Sequence, residues 1–161
     1  MNMINELDLM ENHWNNYKQD YTTEVIVLAG HLGVDLDEAE SAIDDYDYLV
    51  YTDEEADDAV RDYIEQSVWA FTPSFLSAHT GYIDEDIFKI LQEKCEGAND
   101  SIMSMIKDFD AFVEDAVACD GRGHLLSGYD GIEHEVVYLS VERDGMCYKT
   151  KETYYYIYRV N

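Results

Sequence analysis

The sequence predicts an α+β fold in which a helical N-terminal two-thirds packs on a small C-terminal antiparallel β-meander. Three observations carry that expectation. Up to Val117 the apolar residues recur at three- and four-residue spacing, which marks helices with one buried face. From Asp120 onward glycines punctuate runs rich in Tyr, Val, Thr and Ile, as strands and tight turns require. The charge divides at the same place, with 29 acids and 5 bases in residues 1–119 but 7 acids and 5 bases in residues 120–161. The expected organisation is an acidic helical region, 1–119, and a β region, 120–161, in one compact domain. A chain of 161 residues that is 47% apolar and 13% aromatic has enough apolar surface for a sizeable core.

Ile4, Leu7, Met10, Trp14 and Tyr17 predict an amphipathic helix over residues 3–18. Thr22 or Thr23 then caps a short apolar helix, residues 24–32, which Gly33 ends where a left-handed residue is cheapest. A second short helix begins at Leu36 under Asp35 as its cap. Ala29, Gly33, Ala39 and Ile43 match the spacing of a helix-turn-helix. A DNA-reading second helix needs basic or amide side chains in the groove. This one offers Asp37, Glu38, Glu40, Asp44 and Asp45 instead, so the pair is read as a scaffold hairpin.

The central helix starts at a capping box, Thr52 with Glu55 three residues on. Ala56, Ala59, Val60, Tyr63, Ile64, Val68 and Phe71 form its expected buried face. Asp53, Glu54, Glu55, Asp57, Asp58, Asp62 and Glu65 form a carboxylate wall whose one cation is Arg61. Residues 66–83 carry no charge apart from any on His79, and Thr72-Pro73 opens a further helix that Gly81 closes. Trp69, Phe71, Phe75 and Leu76 are the expected aromatic centre of the core. Asp84 should cap a helix packing Ile87, Phe88, Ile90, Leu91 and Cys95, with Gly97 as its stop. Ile102, Met105, Ile106, Phe109, Phe112, Val113, Ala116 and Val117 predict one long helix ending at Asp120-Gly121.

In the last quarter a short strand is expected at residues 124–126, and Asp144-Gly145 marks a hairpin between residues 136–143 and 146–150. A final strand covers residues 153–160. A sheet this small needs helices over its apolar face.

The formal charge of −26 comes from 36 acids against 10 bases. Such a chain repels nucleic acid and anionic membranes at long range, so a macromolecular partner should be basic. No run reaches the roughly 20 apolar residues of a membrane span, and the start lacks the features of a leader, so a cytoplasmic location is expected. Cys95, Cys119 and Cys147 are too few and too scattered for a disulfide scaffold or a paired-cysteine zinc site, and they are read as buried thiols. No cofactor or metal motif is found. Asp120, Arg122, His124, His134 and Glu135 gather carboxylates, imidazoles and glycines that could build an acid–base pair or a metal site, but they match no metalloprotease, phosphate-loop or dinucleotide-glycine pattern. No catalytic residue is assigned, and an enzyme using His124 is the third-ranked reading.

Solubility for a small domain needs a net charge of only about 2 to 8. The surplus suits imitation of a duplex, which carries one charge per about 1.7 Å of axis. Solvated acidic faces and halophilic adaptation are the plain alternatives. The stretches YLVYTDEEADDAVRDYIEQSVWAFTPSFLSAHTG (Tyr48 to Gly81), DGRGHLLSGYDG (Asp120 to Gly131) and YYIYRVN (Tyr155 to Asn161) together resemble a family of small acidic proteins encoded by bacteriophages and related mobile elements. The resemblance implies a phage product acting in bacterial cytoplasm and carries over no catalytic residue. By analogy with acidic phage proteins that act as DNA mimics, the first reading is an inhibitor that occupies the basic nucleic-acid-binding groove of a host defence protein, a CRISPR effector or a restriction enzyme. Its contact wall would be Asp53 to Glu65 as above, extended by Asp37, Glu38, Glu40, Asp44 and Asp45. An acidic protein–protein adaptor without mimicry is the alternative.

Overall fold

The computed structural model describes residues 20–161, so the helix expected over residues 3–18 lies outside the described residues. The fold is α+β, with seven α-helices among the described residues and a three-stranded antiparallel sheet. The chain divides into two compact units.

The first unit comprises residues 20–56 together with Ser127–Asn161. Helix α1, Thr23–Leu32, is capped by the Thr22 side chain and ended by Gly33 at φ 70°, whose N–H bonds the Ala29 carbonyl at 2.8 Å. Helix α2, Leu36–Asp44, starts where the Asp35 carboxylate accepts the Glu38 N–H at 2.9 Å. Strand β1, Tyr48–Tyr51, follows, and the sheet is completed by β2, Glu133–Asp144, and β3, Cys147–Arg159, in the order β1-β3-β2. Val25, Leu28 and Ala39 of the helices meet Val50 and Ile157 of the sheet in one core. The helical hairpin is therefore the cover that this small sheet needs.

The sheet corrects three expectations. Its third strand comes from Tyr48–Tyr51, just ahead of the capping box, where no strand was expected; β1 pairs Tyr48 with Arg159 and Tyr51 with Tyr156. Residues 124–126 are helical and supply no strand. The strands expected at 146–150 and 153–160 form one continuous β3, because Lys151 lies within 3.7 Å of Glu142 across the pair and charged side chains sit comfortably on exposed positions of a ribbon. The hairpin stands where expected, with its turn one residue later, at Gly145 (φ 65°) and Met146.

The second unit, Asp57–Leu126, is helical. Helix α3, Asp53–Ser67, begins in the first unit and supplies Val60 and Ile64 to the core of the second. Its capping box is complete: the Thr52 N–H donates to Glu55 Oε2 at 2.8 Å, and the Glu55 N–H donates to Thr52 Oγ1 at 3.4 Å. A 3₁₀ turn, Val68–Ala70, leads to α4, Pro73–Thr80, capped by Thr72 and ended by Gly81 at φ 77°. Helices α5, Asp86–Gln92, α6, Asn99–Met103, and α7, Phe109–Leu126, follow. Leu76, Phe88, Ile102, Phe112 and Ala116 complete the core.

Several packing expectations change here. The long helix expected from residue 102 is split, because the Lys107 N–H bonds the His79 carbonyl at 3.2 Å and Asp108 caps a new start by accepting the Ala111 N–H at 3.1 Å. Gly121 (φ 78°, ψ 156°) interrupts α7 without ending it, a conformation closed to other residues, and helical turns resume through Leu126. Helix α5 stops at Gln92 rather than near Gly97, and Ile90 and Cys95 are exposed. The core centres on Phe112, which the half-buried rings of Phe71 and Phe75 meet edge-on at 5.0 Å. Tyr63, expected in the core, is exposed, because it falls at the margin of the buried stripe set by Val60 and Ile64. All three cysteines are exposed rather than buried.

Candidate functional site

All twelve acids of the expected contact wall are exposed, and each helix displays its share on the face away from its core. On α2, Asp37, Glu40 and Asp44 follow one line at three- and four-residue spacing, opposite buried Ala39, with Glu38 and Asp45 beside them. The Tyr21 hydroxyl donates to Asp37, and that bond, with burial and the neighbouring acids, pushes the Tyr21 pKa up to about 12.

On α3 the wall resolves into parts with different roles. Asp53, Glu54 and Glu55 occupy the first turn, where a carboxylate complements the helix dipole. Glu55 is committed to the cap. Asp57 accepts a bond from Arg122 Nη1 at 3.0 Å, so Arg122 serves a nearby carboxylate. Glu54, Asp58, Asp62 and Glu65 remain as a ridge at i, i+4, i+8 and i+11. Among the described residues no cation lies within ion-pair distance of these four. Consecutive members are helix-surface neighbours of like charge, each pair costing about 0.2–0.5 kcal/mol. The ridge extends over about 16 Å at 1.5 Å per residue.

A cleft of about 590 Å³ gathers acids from two helices of the second unit. Asp57 and Asp58 of α3 form one wall, and Asp110 and Glu114 of α7 the other, over a floor that includes Val60, Val113 and Val117. Arg61 crosses it to Asp110 at 2.7 Å and lies 5.0 Å from the Phe109 ring centre. Two of the four carboxylates are thus matched by arginine, while Asp58 and Glu114 keep the cleft anionic. Asp110 and Glu114 are visible in the sequence as exposed acids, but their spacing says nothing about which helix they face.

The residues weighed for catalysis are divided between the two units. Arg122 bonds Asp57, and His124 is exposed on the last turns of α7, where with Asp120, Cys119, Tyr63 and Ser67 it borders a cavity of about 400 Å³. His134 lies in the first unit, its ring 5.1 Å from that of His31. Partial burial, reinforced by the His134 charge, holds the His31 pKa below the usual imidazole value. Among the described residues no group of three His, Cys, Asp or Glu side chains is placed to hold a metal ion, and no helix is long and apolar enough to cross a membrane.

No family model, curated protein or solved structure matches the chain.

Proposed function

We propose that this protein is an acidic inhibitor that presents its helical carboxylates, in place of a polynucleotide, to the basic groove of a nucleic-acid-binding protein. The supporting observation is the convergence of Asp58 from α3 and Glu114 from α7 on one cleft, beside the ridge of Glu54, Asp62 and Glu65. The ridge carries about one charge per 5 Å of helix axis, against about one per 1.7 Å in a duplex. One ridge is therefore too sparse to act alone, and the opposite wall of the cleft raises the local density. A defence protein of a bacterial host is the partner that the phage resemblance suggests, and the bacterial cytoplasm is the matching compartment. Such binding needs no cofactor and no catalytic residue.

The test uses duplex DNA on a solid support loaded with bacterial lysate. Added as a soluble competitor, the protein should displace basic proteins from the DNA at about 50 mM salt and far less at about 200 mM, since each phosphate-like contact adds to the salt slope. The Asp58→Lys, Asp62→Lys, Glu65→Lys triple variant should displace none. It keeps the spacing of like charges on α3, so a lost effect reports on the sign of the charge. Displacement by the triple variant equal to that by wild type, or displacement insensitive to salt, overturns the proposal.

A further inference from the structure

Strand β2 is the outer strand of the sheet, with β3 on one side and no strand on the other among the described residues. Beyond the stretch of β3 paired to β1, β2 and β3 continue as a two-stranded ribbon. Its outward face is apolar: Val137, Leu139 and Val141 are 45%, 57% and 56% exposed, and Tyr154, opposite Val137, is 45% exposed. A long apolar edge with no further strand beside it is what soluble proteins avoid or cover. The ribbon also departs from the charge of the rest of the chain. Residues 136–155 hold three acids, Glu142, Asp144 and Glu152, and three bases, Arg143, Lys149 and Lys151, within a chain of net charge −26. Two copies can approach across this balanced ribbon without strong mutual repulsion.

The geometry points to a homodimer formed by antiparallel pairing of β2 with β2 of a second copy about a two-fold axis at Leu139. A two-fold axis normal to a continuous sheet keeps each face on its own side, so odd residues of β2 must oppose odd residues. With Leu139 facing itself, Val137 meets Val141 of the second copy and Glu135 meets its Arg143. Every outward apolar residue of β2 then has an apolar partner, and two symmetric opposite-charge pairs close the ends. Shifting the axis by one residue to Tyr138 sets Glu135 against Val141, and shifting it to Ser140 sets Val137 against Arg143. The β3 edge offers no such match, since Lys149 and Lys151 lie on one face and Glu152 on the other. The product is a six-stranded sheet with a second copy of this chain as the occupant of the edge.

Light scattering across a micromolar concentration series should give a mass approaching twice the 18.6 kDa of one chain, reached at lower concentration as salt screens the net charge. Glu135→Arg or Arg143→Glu alone turns both symmetric pairs into like-charge pairs and should weaken self-association roughly tenfold or more, while the double swap restores it. With the native cysteines changed to Ser, Leu139→Cys should cross-link between copies on oxidation. Val141→Cys should not, because the two copies of residue 141 lie about 13 Å apart along the strands. A monomer at every concentration, single reversals without effect, a double swap that fails to rescue, or equal cross-linking at 139 and 141 each overturns the proposal.

Discussion

Replacing Asp62 with Lys should stabilise the protein while weakening the binding proposed for the ridge. Asp62 lies between Asp58, four residues before, and Glu65, three after, and among the described residues no cation pairs with it. Each of those two repulsions costs about 0.2–0.5 kcal/mol, and each becomes an attraction of similar size when Lys stands at 62. The expected gain is about 0.8–2 kcal/mol at low ionic strength. For a chain of this length that corresponds to a rise in Tm of about 2–8 °C. Near 1 M salt, where the screening length falls to about 3 Å, most of the gain should vanish. Thermal unfolding followed by circular dichroism at the two salt concentrations measures both quantities. A Tm that falls, or that rises equally at both, would refute the account of α3 as a row of uncompensated carboxylates. The pairing of higher stability with lost binding separates a functional ridge from a merely solvated one, for which reversal should be stabilising and otherwise silent.

Three further outcomes follow from the packing. Phe112→Ala removes a fully buried ring that Phe71, Phe75 and His79 each approach to 5.0 Å, and should cost about 3–5 kcal/mol in urea unfolding. Thr52→Ala breaks the capping box and should cost about 0.5–2 kcal/mol by the same measurement, whereas Thr52→Ser should keep most of the stability. The lowered His31 pKa favours the neutral imidazole in the folded state, so its contribution is present above about pH 6.5 and is lost as pH falls through the lower folded value. Between pH 7.5 and 5.5 wild type should therefore lose more Tm than His31→Gln; equal losses would contradict the assignment.

The secondary-structure signals that are local proved legible. Thr22, Asp35, Thr52 and Thr72 cap the helices that follow them, and Gly33 and Gly81 take the left-handed positions expected of them. These depend on contacts within about four residues, which the sequence displays directly. The breaks at Ser104–Asp108 and Gly121 were harder to read, because the apolar period runs on through the first and the second lies at an apparent helix end. The same limit applied to Tyr63, whose spacing fits a buried stripe but whose place at its edge depends on how wide a face the neighbouring helices cover.

The sequence by itself determined that the acids would lie outside and that the last quarter would be a hairpin, since burying unpaired carboxylates is prohibitive and a two-residue period fixes which side chains share a face. Only the tertiary structure decided which acids meet. The approach of α3 to α7, which places Asp58 and Glu114 on one cleft and gives Arg61 to Asp110 and Arg122 to Asp57, depends on contacts between residues some fifty to sixty-five positions apart. It decided as well that Tyr48–Tyr51 would pair with β3, because a four-residue strand has no stability until a distant edge supplies its hydrogen bonds.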